Sequence, residues 1–138
     1  MSKKLITLIT FIFLWNSQLL FASASPELVK NLLGTWTYAE IGTGAAIRGT
    51  LVFEGLTSGT IYDNKYGKGT FSGKFIFGSS NHFSGTISFP SADIKHKSGK
   101  IWFYFFKSSR FPYGWTFKGG TEWKGANGMA ITTGTRIK

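Results

Sequence analysis

The chain has 138 residues, enough for one domain with a substantial core, and no cysteine, which excludes a disulfide-stapled scaffold and thiol chemistry. Sixteen Lys and Arg against six Asp and Glu give a formal charge of +10, and there are only two histidines, so a clustered metal site is not expected. Rings are abundant instead: Phe, Trp and Tyr make up 17% of the residues.

The first segment reads as an address. Lys3 and Lys4 form a positive start, Leu5 to Phe13 and the apolar residues up to Phe21 form a greasy stretch, and Ala22-Ser23-Ala24 fits a small-x-small cleavage site. Asn16, Ser17 and Gln18 interrupt the run short of a membrane span. Residues 1–24 are therefore expected to be a cleaved signal peptide, and residues 25–138 a single domain. Without a lipobox cysteine, the expected location is the periplasm or the medium, in a bacterial setting.

Ser25-Pro26-Glu27 followed by Leu28, Leu32 and Leu33 predicts a short helix with a cap, a first-turn proline and a stop at Gly34. From Trp36 onward the period becomes two. Trp36 and Tyr38 share one face, as do Ile47, Gly49, Leu51 and Phe53. The same holds for Phe71, Gly73, Phe75 and Phe77, and for Phe83, Gly85, Ile87 and Phe89. Residues 101–106 are apolar on both faces. Tyr113 to Phe117, then Thr121 to Trp123, then Met129 to Ile137 supply the remaining alternation. The dipeptide Gly-Thr recurs seven times at uneven intervals, from Gly34-Thr35 to Gly134-Thr135, which excludes a fixed-period solenoid and an ice-binding array. It reads as punctuation, with each Thr facing away from the aromatic interior.

Eight or nine antiparallel strands of this kind form a barrel or a sandwich. Glycines on the aromatic face, at Gly49, Gly73 and Gly85, favour a curled sheet and hence a barrel. The expected fold is all-β: a single eight-stranded (eight or nine) antiparallel β-barrel with a short N-terminal helix. The alternating polar positions argue against a lipid-facing barrel.

Leu33-Gly34-Thr35-Trp36 after a short helix resembles the opening of the calycins, the lipocalin group of small barrels. That resemblance implies a Trp36 on the first strand covered by a basic residue from the last, for which Arg136 is the candidate, through a cation–π contact. Gly119-Gly120-Thr121-Glu122-Trp123-Lys124-Gly125-Ala126-Asn127-Gly128-Met129-Ala130 is similar to a segment of the dirigent and allene oxide cyclase barrels, with Glu122 in place of a glycine, and implies a turn between two strands. Both resemblances imply an eight-stranded barrel with a lumen.

The enzymatic constellations are thin, and the reading leans against an enzyme. Ser91, Asp93 and His96 hold the elements of a triad within six residues, but they read as polar loop residues. No phosphate-cradling loop precedes a helix. No catalytic residue, metal or cofactor is assigned.

The expected function is binding of a small hydrophobic or amphipathic ligand in the lumen or at its open end. Tyr62, Tyr66, Arg110, Tyr113 and Trp115 are expected to frame that end, with Trp102 and Tyr104 as further candidates on the doubly apolar strand. The alternative is an interaction module that docks on an envelope partner or forms a homo-oligomer through residues 101–106. A barrel isomerase or cyclase, using lumen tyrosines and one carboxylate, ranks third. The scattered lysines suit a solvated outer face or an anionic envelope surface, and no nucleic acid is expected.

Overall fold

A computed structural model describes residues 24–42, 47–76 and 81–138. Residues 1–23 of the expected signal peptide, and Phe77 from the alternating series, lie outside the described residues.

Helix α1 (Pro26–Leu32) forms as the sequence dictates. Ser25 Oγ accepts from Leu28 N at 3.2 Å, Pro26 opens the first turn, and Glu27 sits where the helix dipole favours an anion. Leu28 and Leu32 are fully buried, so the helix presents one apolar edge to the barrel and stoppers that end. It is tied there by an ion pair between Glu27 and Lys107 and by Ser25 N donating to Asn81 Oδ1.

Eight strands follow: β1 (Gly34–Ile41), β2 (Ile47–Phe53), β3 (Ser58–Asp63), β4 (Gly67–Phe75), β5 (His82–Ser88), β6 (Ser98–Lys107), β7 (Trp115–Trp123) and β8 (Ala130–Thr135). Each pairs antiparallel with the next, and β8 returns to β1 with Glu40 opposite Thr132, closing the barrel. Closure removes every sheet edge and decides against the sandwich.

Two elements differ from expectation. β3 has Gly59 and Asp63 at inward positions and so lacks an aromatic face to announce it. β7 runs unbroken through Gly119 and Gly120, where the doublet suggested two separate strands. The turn expected over residues 119–130 is therefore confined to residues 124–129.

The tight coiling needs missing side chains. Gly73 and Gly85 face each other across β4 and β5, and a Cβ on either would stand 2.6–2.8 Å from the other's Cα. A barrel this narrow can curl there only because neither residue carries a side chain.

The rings meet along the axis in the half nearer α1. Phe103 lies 4.6 Å from Phe117 and 6.1 Å from Phe83 (centroid to centroid), while Phe53 meets Phe71, Phe83 and Phe105 edge-on at 4.9–5.8 Å. Each buried ring contributes roughly 1.5–3 kcal/mol through area removed from water, and each favourable ring pair about 0.5–1.5 kcal/mol more. Every described lysine is exposed. The positive charge is a solvated outer wall.

Candidate functional site

The strand alternation that delivers rings to the middle of the barrel delivers polar groups to the end opposite the helix. Trp36, Tyr38 and Glu40 share the inward face of β1, and Gly59, Ile61 and Asp63 share that of β3. Phe117, Gly119, Thr121 and Trp123 face inward along β7, and Ala130 and Thr132 along β8. Glu40, Asp63, Thr121 and Thr132 are each at most 1% exposed, and they are the buried polar residues of the described chain.

Register brings them together. Gly49 pairs with Tyr38 on one side and Asp63 on the other, and Thr132 pairs with both Glu40 and Gly119. Trp123 Nε1 donates to Glu40 Oε1 at 2.8 Å, and Tyr38 OH donates to Glu40 Oε2 at 2.9 Å. The Tyr38 hydroxyl also lies 3.5 Å from Thr121 Oγ1. Asp63 Oδ1 accepts from Lys65 N at 2.8 Å and from Tyr66 N, closing the β3–β4 turn. Its second oxygen, Oδ2, has no hydrogen-bond partner, nor has Thr132 Oγ1.

Buried acceptors are almost always paired, and an unpaired one costs about 1–3 kcal/mol. Two such atoms, Asp63 Oδ2 and Thr132 Oγ1, belong to residues at this end of the barrel.

The electrostatics agree. Burial holds the Tyr38 hydroxyl well above its ordinary pKa, and the neighbouring Glu40 and Asp63 push it further. Burial likewise raises Tyr66 to about 12, with Glu40, Asp93 and Asp63 adding to the shift. No Lys or Arg among the described residues forms an ion pair with Glu40 or Asp63.

A cover closes this end. Tyr66, Phe89 and Trp123 meet in a triangle of rings at 5.5–5.9 Å, and His96 stacks on Tyr66 at 5.0 Å. The loop carrying His96 is fastened by Phe89 N to Lys97 O and by Asp93, whose Oδ1 accepts from Lys95 N, His96 N and His96 Nδ1. The His96 hydrogen bond, with its charge, holds the Asp93 carboxyl below the usual range. Of the Ser91, Asp93 and His96 group, only the last two meet, and they fasten a loop.

The predicted frame of one open end does not form. Tyr66 caps the polar end, whereas Arg110, Tyr113 and Trp115 lie at or beside the β6–β7 connection, at the helix end. Tyr62 points outward from β3 and is 61% exposed. Only Tyr66 and Trp115 are buried, at opposite ends.

Trp102 and Tyr104 are on the outer face of β6. Trp102 lies over Gly120, its partner on β7, where a Cβ would come within 2.5 Å of the indole. The glycine gives the ring a seat. Tyr104 is half-exposed and stacks on His82 at 4.1 Å, and burial lowers the pKa of that histidine.

Trp36 and Arg136 are neighbours across the β1–β8 seam, joined by a backbone bridge. The expected ring contact changes partner. Arg136 donates to Leu33 O at 3.1 Å and lies over the Tyr113 ring at 5.6 Å, while Trp36 Nε1 donates to Leu32 O. The Gly34-Thr35-Trp36 opening thus fastens the helix to the barrel.

Glu40, Asp63, Thr121 and Thr132 were not singled out from sequence, yet a signal existed. Glu40 is in phase with Trp36 and Tyr38, and Asp63 with Ile61: an acid on the apolar face of a strand. Outside the barrel, a groove of about 480 Å³ runs across β5 to β7 past Lys100 and Glu122, and one of about 330 Å³ crosses β3 to β5 among hydroxyls of Ser58, Thr60, Thr70, Ser72, Thr86 and Ser88.

No family model, curated protein or solved structure matches this chain.

Proposed function

We propose that this is an exported small-molecule binding protein whose site is the polar end of the barrel interior, between Tyr38, Glu40, Asp63, Thr121 and Thr132, under the cover of Tyr66, Trp123 and His96. The observation that carries the reading is the pair of buried, unpartnered acceptors, Asp63 Oδ2 and Thr132 Oγ1. The helix half is filled by the chain's own rings, so an amphipathic ligand is accommodated only towards the other end. Export rests on the charged start, apolar stretch and Ala22-Ser23-Ala24 of the sequence. Cleavage after Ala24 leaves the helix cap, Ser25, intact. Native mass spectrometry of protein purified from its own host tests both parts. A bound small molecule is expected on a chain beginning at Ser25, whereas a bare mass that persists under gentle ionisation counts against binding.

A second reading is favoured by a separate observation. Tyr104 and Phe106, 42% and 51% exposed, stand beside Trp102 on the outer wall of β6, an apolar stripe that suits a partner surface or a second copy. A folded Phe106→Lys variant that changes a concentration-dependent oligomer into a monomer in sedimentation would favour that reading.

A further inference from the structure

Three features compete for notice: the outer stripe of β6, the hydroxyl-lined groove over β3 to β5, and the carboxylates of the polar end. Nothing identifies an occupant for the first two. The third carries chemistry.

This chain has only six acidic residues, and two of them, Glu40 and Asp63, lie inside the barrel. All described lysines point to solvent. Every described lysine is outside, whereas two of the six carboxylates are within and the other four are exposed. An unpaired buried carboxylate is costly, and the cost is relieved by a cation or a dense set of donors. The donors are too few. Glu40 is supplied by Trp123 and Tyr38, but Asp63 has donors on one oxygen only. Lys65, two residues along from Asp63, makes no ion pair with either acid; its ammonium lies over the Tyr66 ring at 5.3 Å and the residue is exposed. Thr132, opposite Glu40, has a second open atom at this end, the hydroxyl Oγ1.

An open carboxylate oxygen and an open hydroxyl at an end capped by aromatic rings suit an ammonium group: N–H bonds to oxygen, and positive charge against ring faces. Burial is the first cause of the raised pKa values of Tyr38 and Tyr66, and the nearby Glu40 and Asp63 add to both. No group of three or more metal-ligating side chains is found among the described residues, so the arrangement does not suit a divalent ion.

We infer that the ligand's polar group is an organic ammonium, held by Asp63 Oδ2 and Thr132 Oγ1 beside Glu40, with the apolar remainder directed at the Tyr66, Phe89 and Trp123 rings. This rests on the binding function proposed above. The probes are hexylammonium, tetramethylammonium, hexanoate, hexanol and potassium chloride, each added to the purified protein at constant ionic strength, with melting temperature and calorimetric titration as readouts. Hexylammonium is expected to bind and raise the melting temperature, and hexanoate to do neither. Asp63→Asn is expected to weaken hexylammonium at least ~10-fold, the loss of one charge-assisted hydrogen bond. Lys65→Met, which leaves the carboxylates in place, is expected to retain it.

The failures are separable. Preferential binding of hexanol or hexanoate that depends on Asp63 overturns the ammonium and leaves the site standing. An Asp63-dependent response to potassium as large as that to hexylammonium assigns the site to an inorganic cation and also overturns it. No binding by any probe, together with a bare native mass, removes the inference and the binding function together. Clearly tighter hexylammonium binding in Lys65→Met overturns the claim that the carboxylates lack an internal counter-charge. These titrations of the unmodified chain remain informative even where a variant fails to fold.

Discussion

In the half of the barrel nearer α1, the inward positions are rings and aliphatic chains: Trp36, Phe53, Phe83, Phe103, Phe105 and Phe117, closed off by Leu28 and Leu32. Further along the same strands, the inward positions become Glu40, Asp63, Thr121 and Thr132. Backbone geometry is shared, since one continuous ladder builds both halves. Only the side chains differ. The first half is almost wholly apolar, with one unpaired donor at Arg136 Nε, whereas the second places two carboxylates under the rings of Tyr66, Phe89 and Trp123 and leaves two oxygens open. Both ends bury rings, and the buried acids belong to one of them.

The comparison breaks most visibly if its apolar side is cut. Phe103→Ala removes a fully buried ring that meets Phe53, Phe71, Phe83, Phe105 and Phe117. Urea unfolding should show a loss of about 3–5 kcal/mol. A loss below about 1 kcal/mol would mean that the ring stack is not what holds the barrel.

Alkaline titration addresses the polar side. Tyr38 and Tyr66 hold their protons beyond the ordinary value of 10.0, Tyr66 up to about 12. Above pH 10 the unfolded chain releases those protons while the folded one keeps them, so the folded state binds more protons and stability falls as pH rises towards about 12. Below pH 10 these two groups contribute no slope. Tyrosinate absorbance followed alongside unfolding should show two tyrosines ionising late or only with loss of the fold. Five tyrosines titrating together in a folded barrel would contradict it.

Glu40→Leu should cost less than the ring deletion. It strands the Trp123 N–H and the Tyr38 hydroxyl, a penalty of about 1–3 kcal/mol, partly offset because a buried carboxylate goes with it. The sharper readout is Trp123 fluorescence, which should shift while the urea midpoint moves moderately. An unchanged spectrum would place that indole away from Glu40.

The helix and most strands were legible because their signals are local: a cap and a first-turn proline, then alternation with rings on one face. The closed topology followed from inward glycines, of which Gly73 and Gly85 prove to be paired. What escaped depends on register. Trp102 reads from sequence as a ring for a ligand or a partner surface, because nothing in residues 101–106 reveals that Gly120 lies beside it. Six of the Gly-Thr units put Gly inward or at a strand start and Thr outward, but in Gly120-Thr121 the phase is inverted, and Thr121 is fully buried. Counting by two from Phe117 predicts that inversion; reading the dipeptide as a uniform mark hides it. Likewise, acids spread along the chain looked unrelated, although Glu40 and Asp63 each occupied the apolar phase of a strand. The frame of Tyr62, Tyr66, Arg110, Tyr113 and Trp115 failed for a simpler reason. Successive connections of an up-and-down barrel alternate between its ends, so the β3–β4 and β6–β7 connections, an odd three strands apart, cannot frame the same opening.

The finest test of the two halves is Asp63→Asn, since there stability and binding should move in opposite directions. Asparagine keeps the acceptor that Lys65 N and Tyr66 N use to close the β3–β4 turn, and it suits such turns as well as aspartate does. It replaces the bare Oδ2 with a neutral amide and removes one of two buried like charges. A gain of about 1 kcal/mol in urea unfolding is expected, together with loss of ammonium binding. A clear loss of stability would show that the Asp63 charge is matched within the fold. The polar end would then be a structural network, and the asymmetry between the halves would be one of composition without a site.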